Sequence, residues 1–404
     1  MRDEMKKVPR LRFRGFQEDW ELCKVGDFGR EIYGGGTPKT SVKEFWSGTL
    51  PWIQSSDLKE DKVCDIKAKK YISIKAIQQS SAKKISKNSI AIVTRVGVGK
   101  LALMPYEYAT SQDFLSISVL QVDKWFGVYS LYNKLQSELN SVQGTSIKGI
   151  TKDELLNKKI MIPKPLKEQS KIGLFLKKID TTTALHQRKL DQLKELKKAY
   201  LQVMFPVKDE RVPKLRFATF EGEWELCKLG AFLIVPPKVK VTIDSPSDLM
   251  TVKLNLGGVY SGASRDTLSL GSTVYYKRFS GQFIYGKQNF FNGSMAIIPK
   301  ELHGKATSGD VPSFDIININ KDYLFYFISR KSYWKSKEVE ATGTGSKRIH
   351  EKTLQNFPIM VPLKEEQIKI STFCDQLDEI ITLHQSKLNQ LKTLKKSYLQ
   401  NMFI

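Results

Sequence analysis

Two stretches of the chain carry apolar residues at steps of three and four, with lysine and glutamine between them. This spacing is typical of a helix with one buried face, and its length favours a coiled-coil seam. Each predicted helix has about 38 residues, which gives about 57 Å at 1.5 Å per residue. The predicted seam residues are Ile172, Leu176, Ile179, Leu190, Leu193, Leu196 and Tyr200 in the first helix, and Ile370, Leu377, Ile380, Leu388, Leu391, Leu394 and Tyr398 in the second.

The helical stretches belong to a larger internal repeat. Residues 186–205 and 384–403 are identical at fifteen of twenty positions, and residues 8–28 and 212–232 are identical at thirteen of twenty-one. The segments between these repeats show no resemblance to each other by eye. A variable block and a shared block therefore alternate twice along the chain.

Two copies of a long amphipathic helix in one chain can bury their seams against each other. An antiparallel coiled coil is the simplest pairing, because a globular block separates the two copies. The alternative is that each helix packs only on its own domain. We predict the coiled coil, because both the length and the repetition of the helices argue against the alternative.

The variable blocks are predicted to be mixed α/β (α+β). Strand-like runs such as SIAIVTRV and FLSISVLQV alternate with glycine-rich turns and shorter helical runs such as SLYNKLQSEL. A chain of 404 residues is long enough for two domains that need no disulfides. The predicted architecture is a pseudo-two-fold internal repeat, with globular domains at residues 1–163 and 211–362 and helical spacers at residues 164–210 and 363–404.

The composition narrows the choice of partner. The chain has 65 Lys and Arg against 42 Asp and Glu, a formal net charge of +23. Such a charge favours a polyanion, most often nucleic acid, with a membrane surface or plain solubility as the alternatives. The four cysteines form no Cys-x-x-Cys pair, and no apolar run suits a signal peptide or a membrane span. We therefore expect a soluble cytoplasmic protein without a membrane partner.

A search for catalytic motifs finds none that is convincing. RVGVGK (residues 95–100) lacks the earlier glycine and the following Ser or Thr of a phosphate-binding loop. VPPK (residues 235–238) has the wrong flanks for the loop of a base-flipping methyltransferase. His186 and His384 occupy equivalent places in the repeat, which favours capping or packing over catalysis. We expect a chain that binds rather than catalyses, with no metal or cofactor of its own.

What remains are loops in which glycine, hydroxyl, amide, aromatic and basic residues interleave. Such loops can approach a nucleic-acid backbone closely and read base edges. Each loop alone is a weak signal, because glycine-rich turns near lysine are common. The candidate DNA-binding residues are Gly35, Thr37, Lys39, Trp52, Ser55, Ser56, Arg95, Lys100, Gln112 and Lys148 in the first half, and Lys253, Asn255, Tyr276, Lys277, Lys287, Asn292, Ser308, Lys347 and Arg348 in the second.

These motifs together resemble a known family. The opening VPxLRFxxFxxxWE, the stretch GGGTPKTSVKEFWSGTLPWIQSSDL, and the strings SIAIVTRVGVGKLAL, SQDFLSI and IMIPKPLKEQSKI are similar to recurrent features of specificity (S) subunits of type I restriction-modification systems. In the second half, FIYGKQNFFNGSMAIIPKEL with SGDVPSF resembles a different recognition-domain subtype of that family. The resemblance covers nearly the whole chain.

The resemblance implies a function that composition does not. Each variable block would be a target recognition domain for one half of a split, asymmetric double-stranded DNA site. The repeated helices would be a spacer and a docking surface for two modification subunits, which carry S-adenosylmethionine and methylate adenine. Restriction subunits, with ATP and Mg, would add translocation and cleavage.

Two other interpretations remain open at this point. One is a stand-alone DNA methyltransferase or endonuclease whose motifs are not recognised. The other is a non-catalytic RNA-binding or coiled-coil scaffold protein, for which stacking aromatic residues should favour single strands over a duplex.

Overall fold

The computed structural model describes residues 7–141, 149–207, 210–262, 273–343 and 346–404. The chain divides into two compact units, which are unit 1 (Met1–Arg188 with His384–Ile404) and unit 2 (Lys189–Leu383). Both units are mixed α/β, as predicted. In the part of the chain that the structure describes, no helix combines the length and apolarity needed to cross a bilayer.

The first half of the chain forms unit 1 up to the middle of a long helix. Its strands are β1 (Glu21–Lys24), β2 (Gly29–Gly34), β3 (Leu50–Ile53), β4 (Lys70–Ile72), β5 (Ser89–Val93), β6 (Leu101–Met104), β7 (Ala109–Thr110), β8 (Phe114–Leu120) and β9 (Lys159–Ile162). Its helices are α1 (Ile74–Gln79), α2 (Lys124–Ser141), α3 (Lys152–Asn157) and α4 (Leu166–Val203).

The main sheet of unit 1 is antiparallel, with the strand order β2-β8-β5-β6. Strand β5 is buried along its whole length, which explains why its sequence is a continuous apolar run rather than an alternating one. Ile90 in β5 lies opposite Leu103 on one side and Ile117 on the other. Helix α2 adds Phe126 and Tyr129 to the core beside this sheet. A smaller sheet has the order β4-β3-β7, and β1 pairs with β9.

The second half of the chain repeats this organisation. Its strands are β10 (Glu225–Lys228), β11 (Leu233–Ile234), β12 (Lys240–Val241), β13 (Met250–Val252), β14 (Val259–Ser261), β15 (Tyr275–Lys277), β16 (Phe283–Tyr285), β17 (Met295–Ile297), β18 (Ala306–Ser308), β19 (Ser313–Ile316) and β20 (Pro358–Val361). Its helices are α5 (Lys321–Ser329), α6 (Lys331–Lys335), α7 (Glu351–Gln355) and α8 (Lys364–Asn401).

The variable blocks share a sheet order that their sequences do not reveal. The main sheet of unit 2 has the order β11-β19-β16-β17, which matches that of unit 1 strand for strand. Strand β10 pairs with β20 as β1 pairs with β9. The smaller sheets differ, because β3 joins β4 and β7 in one sheet whereas unit 2 has a β12-β15-β18 sheet and a separate β13-β14 pair, linked by a single parallel bridge between Leu249 and Ala306. The apparent lack of resemblance between the variable blocks is therefore a feature of sequence and not of the main sheet.

Within unit 1, the first part of α4 packs antiparallel against the last part of α8. The rings of Phe175 and Tyr398 meet edge to face with centroids 4.8 Å apart. One turn further along α4, Asp180 lies 2.7 Å from Lys395 Nζ. Residue numbers that rise on α4 meet numbers that fall on α8, so the predicted antiparallel pairing is present here.

Unit 2 contains the equivalent contacts between the remaining parts of the two helices. Tyr200 meets Phe373 with ring centroids 5.0 Å apart. Lys197 Nζ lies 2.5 Å from an Asp378 oxygen. Each unit therefore holds its own segment of antiparallel helix pairing, with a reciprocal lysine–aspartate pair in each.

The predicted seam needs correction at three positions. Nine of its residues are buried, namely Ile172, Leu176, Ile179, Leu190, Leu193, Ile370, Leu377, Leu388 and Leu391, while Tyr200 and Tyr398 are half-buried. The other three are exposed, namely Leu196 (43%), Ile380 (40%) and Leu394 (42%). Regular steps of four and three place Lys197, Ile381 and Lys395 at these points of the seam. Counting only apolar residues missed them, because two of the three are lysines.

A buried ion pair joins the start of each helix to the beginning of each repeat. Arg12 Nε lies 2.6 Å from Glu168 in unit 1, and Arg216 Nη2 lies 2.7 Å from Glu366 in unit 2. Both glutamate side chains have no exposed surface. Because a buried carboxylate is costly without a partner, each arginine fixes its opening segment against its helix.

Candidate nucleic-acid interface

In unit 1, three of the predicted loops converge. Gly36 N, in the turn after β2, donates to the Thr110 carbonyl at 2.9 Å. Ser111 N, in the loop between β7 and β8, donates to the Ile53 carbonyl at the end of β3, also at 2.9 Å. Backbone hydrogen bonds therefore join segments that are as much as 74 residues apart in sequence, as Gly36 and Thr110 are.

Two of the predicted contact residues shape these loops instead of facing solvent. A Cβ on Gly35 would lie 1.8 Å from the Ser111 carbonyl oxygen, so only glycine allows the two loops to approach this closely. Trp52 is buried, and its indole N–H donates to the Gly36 carbonyl at 3.1 Å. Trp52, predicted as a DNA-contact residue, thus packs beneath the loops and supports them, and its contact with DNA stays a prediction.

A fourth predicted loop joins the cluster at Thr94. Its backbone N–H donates to the Asp113 carbonyl at 2.8 Å, and its hydroxyl donates to the same oxygen at 3.0 Å. The next residue, Arg95, is exposed, and Lys100 at the far end of the turn is half-buried. Gly97 and Gly99 between them have φ values of +87° and +90°, which suit glycine far better than other residues.

The outer surface of this cluster presents polar and basic side chains to solvent. Thr37, Lys39, Arg95 and Gln112 are all exposed. Among the described residues, none of these four side chains has a hydrogen-bond or ion-pair partner. They are therefore free to bind a ligand.

Three candidates of unit 1 remain. Ser55 and Ser56 belong to this surface, whereas Lys148 lies outside the described residues. Ser56 is exposed and Ser55 is half-buried, and Gln54 Nε2 donates to Ser56 Oγ at 3.0 Å. Sequence reasoning missed Gln54, although it lies within the string PWIQSSD and carries an amide that suits base-edge contacts.

In unit 2 the candidates form three groups, the first around the β13–β14 turn. Asn255 N donates to the Asn292 carbonyl at 2.9 Å, and both side chains are exposed. Asn255 has a φ of +54°, a conformation that asparagine tolerates better than most residues. Lys253 Nζ lies 3.8 Å from the centroid of the Tyr260 ring. This group offers two amides and one cation.

The second group lies on the β12-β15-β18 sheet. Tyr276 and Lys277 belong to β15, and Ser308 lies opposite their neighbour Tyr275. Lys277 is exposed, whereas Tyr276 and Ser308 are half-buried.

A buried arginine that sequence reasoning missed supports this second group. Arg278 Nε donates to Thr307 Oγ1 at 2.7 Å, and its Nη2 donates to the Val311 carbonyl at 3.0 Å. Burial lowers the pKa of the Arg278 guanidinium to about 10. The string YYKRF contains this residue, but sequence alone does not distinguish a buried arginine from its exposed neighbour Lys277.

The third group is occupied by ion pairs within the chain. Lys287 Nζ lies 3.1 Å from Glu351, Arg348 lies 2.9 Å from Asp310, and Lys347 lies 3.4 Å from Glu338. Each of these three candidate DNA-binding cations therefore faces a carboxylate, and their contact with DNA stays a prediction. Among the described residues, Arg95 and Lys39 of unit 1 and Lys277 of unit 2 have no ion-pair partner, so unit 2 presents both paired and unpaired cations.

Comparison with protein families identifies related chains. The family model of the type I restriction modification DNA specificity domain matches residues 17–195 and 258–393. A curated relative, the type I restriction enzyme MjaIX specificity subunit of Methanocaldococcus jannaschii, is 24% identical over 411 residues, covering 95% of this chain and 93% of the relative.

Two solved structures share the fold. The type I restriction-modification system S subunit from M. genitalium has a TM-score of 0.64 at 14% identity, covering 98% of this chain and 99% of that one. A chain from a study of complex assembly and conformational transition of the type I restriction-modification system has a TM-score of 0.50 at 14% identity, covering 94% and 96%. The likeness extends over both units.

Proposed function

Because the chain belongs to the type I restriction-modification DNA specificity family, we propose that it is a specificity subunit that reads double-stranded DNA at a split site. Each unit reads one half of this site. The supporting observation is that both units have one main-sheet order but different exposed side chains. Because the two units expose different side chains, they recognise different base sequences, and the DNA site is asymmetric.

In this proposal the unit 1 cluster reads its half-site with free side chains. Arg95 and Lys39 contact phosphates or guanine edges, while Gln112 and Gln54 suit the amide-to-adenine pairing. Unit 2 relies more on the neutral groups of the β13–β14 turn. The predicted division into recognition domains at residues 1–163 and 211–362 and spacers at 164–210 and 363–404 is part of this proposal.

We assign to α4 and α8 the role of a spacer between half-sites. A helix of 38 residues is about 57 Å long at 1.5 Å per residue. Half-sites on one face of B-DNA are separated by about 34–36 Å for each helical turn. Helices of this length can therefore set the number of unread base pairs.

The same helices carry equivalent apolar surfaces that suit two copies of one partner. Leu185 and Leu383 occupy matching places in the repeat and are 61% and 62% exposed. Leu196 and Leu394 form a second matched pair, 43% and 42% exposed. We propose that one modification subunit binds at each, that these subunits carry S-adenosylmethionine, and that restriction subunits supply the ATP- and Mg-dependent steps.

Reconstitution tests this assignment. The purified chain, a modification subunit and S-adenosylmethionine are mixed with duplex DNA that contains the site, and methyl transfer is measured. Transfer is expected only when both proteins are present. Methylation by the chain alone would contradict the proposal, as would preferential binding of single strands over duplex at the same salt concentration.

A pair of variants tests the docking surfaces separately from DNA reading. Leu185→Glu and Leu383→Glu should each remove one of two bound modification subunits, measured as the mass of the complex by light scattering. The matched control is Lys194→Glu, an exposed residue nine positions from Leu185 and therefore on the opposite face of α4, which should leave two bound. Loss of DNA binding by the leucine variants on their own would show that the surface does not act as a dock.

A further inference from the structure

Two histidines face each other in the helix pairing of unit 1. His186 on α4 and His384 on α8 bring their Nδ1 atoms to 3.0 Å from each other. The ring centroids are 5.1 Å apart, and both side chains are half-buried. The residues are equivalent in the internal repeat, so the same position of each helix supplies one ring.

A polar pair at this place is costly unless it has a specific partner. The steps of three and four that define the seam pass through His186 and then reach the buried Leu190 and Leu193. A polar residue in such a seam lowers the stability of the helix pairing but provides a specific contact between the two helices. The specific contact here is between two imidazole nitrogens, one of which must accept.

The separation of the two nitrogens suits a shared metal ion. Imidazole nitrogens bind zinc at about 2.0–2.1 Å, so two ligands on one tetrahedral ion lie about 3.3–3.4 Å apart. The observed 3.0 Å is about 0.3–0.4 Å shorter than this, so metal binding requires the rings to open slightly and to turn their lone pairs toward one point. Neutral imidazole favours zinc, nickel and copper, whereas magnesium and calcium favour oxygen ligands.

The cysteines compete poorly for such an ion. Burial raises the pKa of the Cys64 and Cys374 thiols to about 12, and burial also raises the pKa of the Cys23 thiol to about 11. Thiols bind metals as thiolates, so these groups are poor ligands at neutral pH. Among the described residues, no three histidine, cysteine or carboxylate groups are placed to hold a metal ion together, so an ion at the histidine pair has two imidazole ligands and needs water for the rest.

We propose that His186 and His384 together bind one divalent transition-metal ion of the zinc and nickel class, with water completing its coordination. The ion links α4 to α8 and resists their separation. This inference does not depend on the proposed DNA function, because it rests only on the geometry of the two rings.

Zinc binding to the full-length chain, prepared without a histidine tag, tests the proposal. Titration calorimetry with ZnCl₂ should give one site per chain, and zinc should raise the melting temperature. His186→Gln and His384→Gln should each weaken zinc binding at least about tenfold, since even outer groups around a metal contribute that much. Each variant is also melted without zinc, which separates a folding defect from a binding defect.

The other two histidines of the chain provide the matched control. The double variant His303→Gln/His350→Gln keeps the pair and should bind zinc as the unchanged chain does, with the same rise in melting temperature. Equal zinc binding by His186→Gln, His384→Gln and the unchanged chain would overturn the proposal. So would binding that is lost only in the double variant, or no binding by the unchanged chain at micromolar zinc.

Discussion

Unit 1 and unit 2 share one frame, which is the main sheet and its contacts with the long helices, but the exposed side chains of their loops differ. The Tyr129 hydroxyl donates to Asp180 in unit 1, and Tyr326 donates to Asp375 and Asp378 in unit 2. Burial and these carboxylates raise the pKa of both hydroxyls. The frame therefore keeps the same polar contact between globular part and helix in both units, while the loops differ.

The two surfaces differ at two arginines. Arg95 in unit 1 is exposed and has no ion-pair partner among the described residues, whereas Arg348 in unit 2 lies 2.9 Å from Asp310. An unpaired cation is ready to bind a phosphate, but a paired one must first give up its carboxylate. One shared frame can therefore support surfaces whose basic residues contribute differently to the electrostatics of binding.

The largest expected effect comes from removing the buried ion pair that fixes the opening segment of each unit against its helix. Arg216→Ala leaves the fully buried Glu366 carboxylate without its cation, which should destabilise unit 2 by about 3–5 kcal/mol. Arg12→Ala should cost less in unit 1, because Trp20 Nε1 still donates to Glu168 at 3.4 Å. Hydrogen exchange measured by mass spectrometry reports the loss in each unit. Equal losses would show that the tryptophan contact contributes nothing.

The next prediction compares the seam with the outer face of one helix. Leu193→Ala removes a side chain that is 6% exposed and should destabilise unit 2 by about 2–5 kcal/mol. Leu196→Ala, three residues away but exposed, should change stability by less than about 0.5 kcal/mol. Denaturant unfolding followed by circular dichroism measures both. A larger loss for the Leu196 variant would restore that residue to the seam.

A smaller effect sharpens the contrast between free and paired cations. Arg95→Ala should weaken binding of the cognate duplex about tenfold and lower the slope of log affinity against log salt by about 1. Arg348→Ala removes a cation already paired with Asp310 and should leave the salt slope unchanged. Fluorescence anisotropy at several salt concentrations measures both. Equal slopes for the two variants would contradict the proposed difference between the units.

The smallest predicted effect concerns two equivalent thiols. Burial, and then Asp27, raise the pKa of Cys23 to about 11, and burial also raises the pKa of Cys227, which is less deeply buried. A higher pKa leaves less thiolate at pH 8, so Cys23 should react more slowly with iodoacetamide than Cys227. Rates should rise with pH for both. Peptide mass spectrometry over a time course measures them, and a faster Cys23 would reverse the order.

The sequence predicted the long helices, their pairing and the loops that form the unit 1 cluster. These features depend on local signals, such as apolar spacing, glycine-rich turns and the internal repeat. The seam was misplaced at Leu196 and Leu394, because a charged residue in a seam cannot be recognised without its partner. Lys197 and Lys395 are stable there only because each faces an aspartate on the other helix.

Contacts between distant segments explain what else the sequence could not show. Arg348 and Asp310 are 38 residues apart, and nothing in either segment indicates the pairing. The shared order of the main sheets also escaped detection, because many apolar sequences satisfy the same strand arrangement. The sequence around Trp52 is typical of a contact loop, but only the fold shows that the indole of Trp52 is buried.

If unit 1 and unit 2 recognise different half-sites, the DNA site of this protein is split and asymmetric. Methylation-sensitive single-molecule sequencing of cells with and without this gene measures that site. We expect one asymmetric motif, made of two short specified parts with a fixed unspecified gap, that disappears with the gene. A contiguous or palindromic motif, or a motif that persists without the gene, would contradict it.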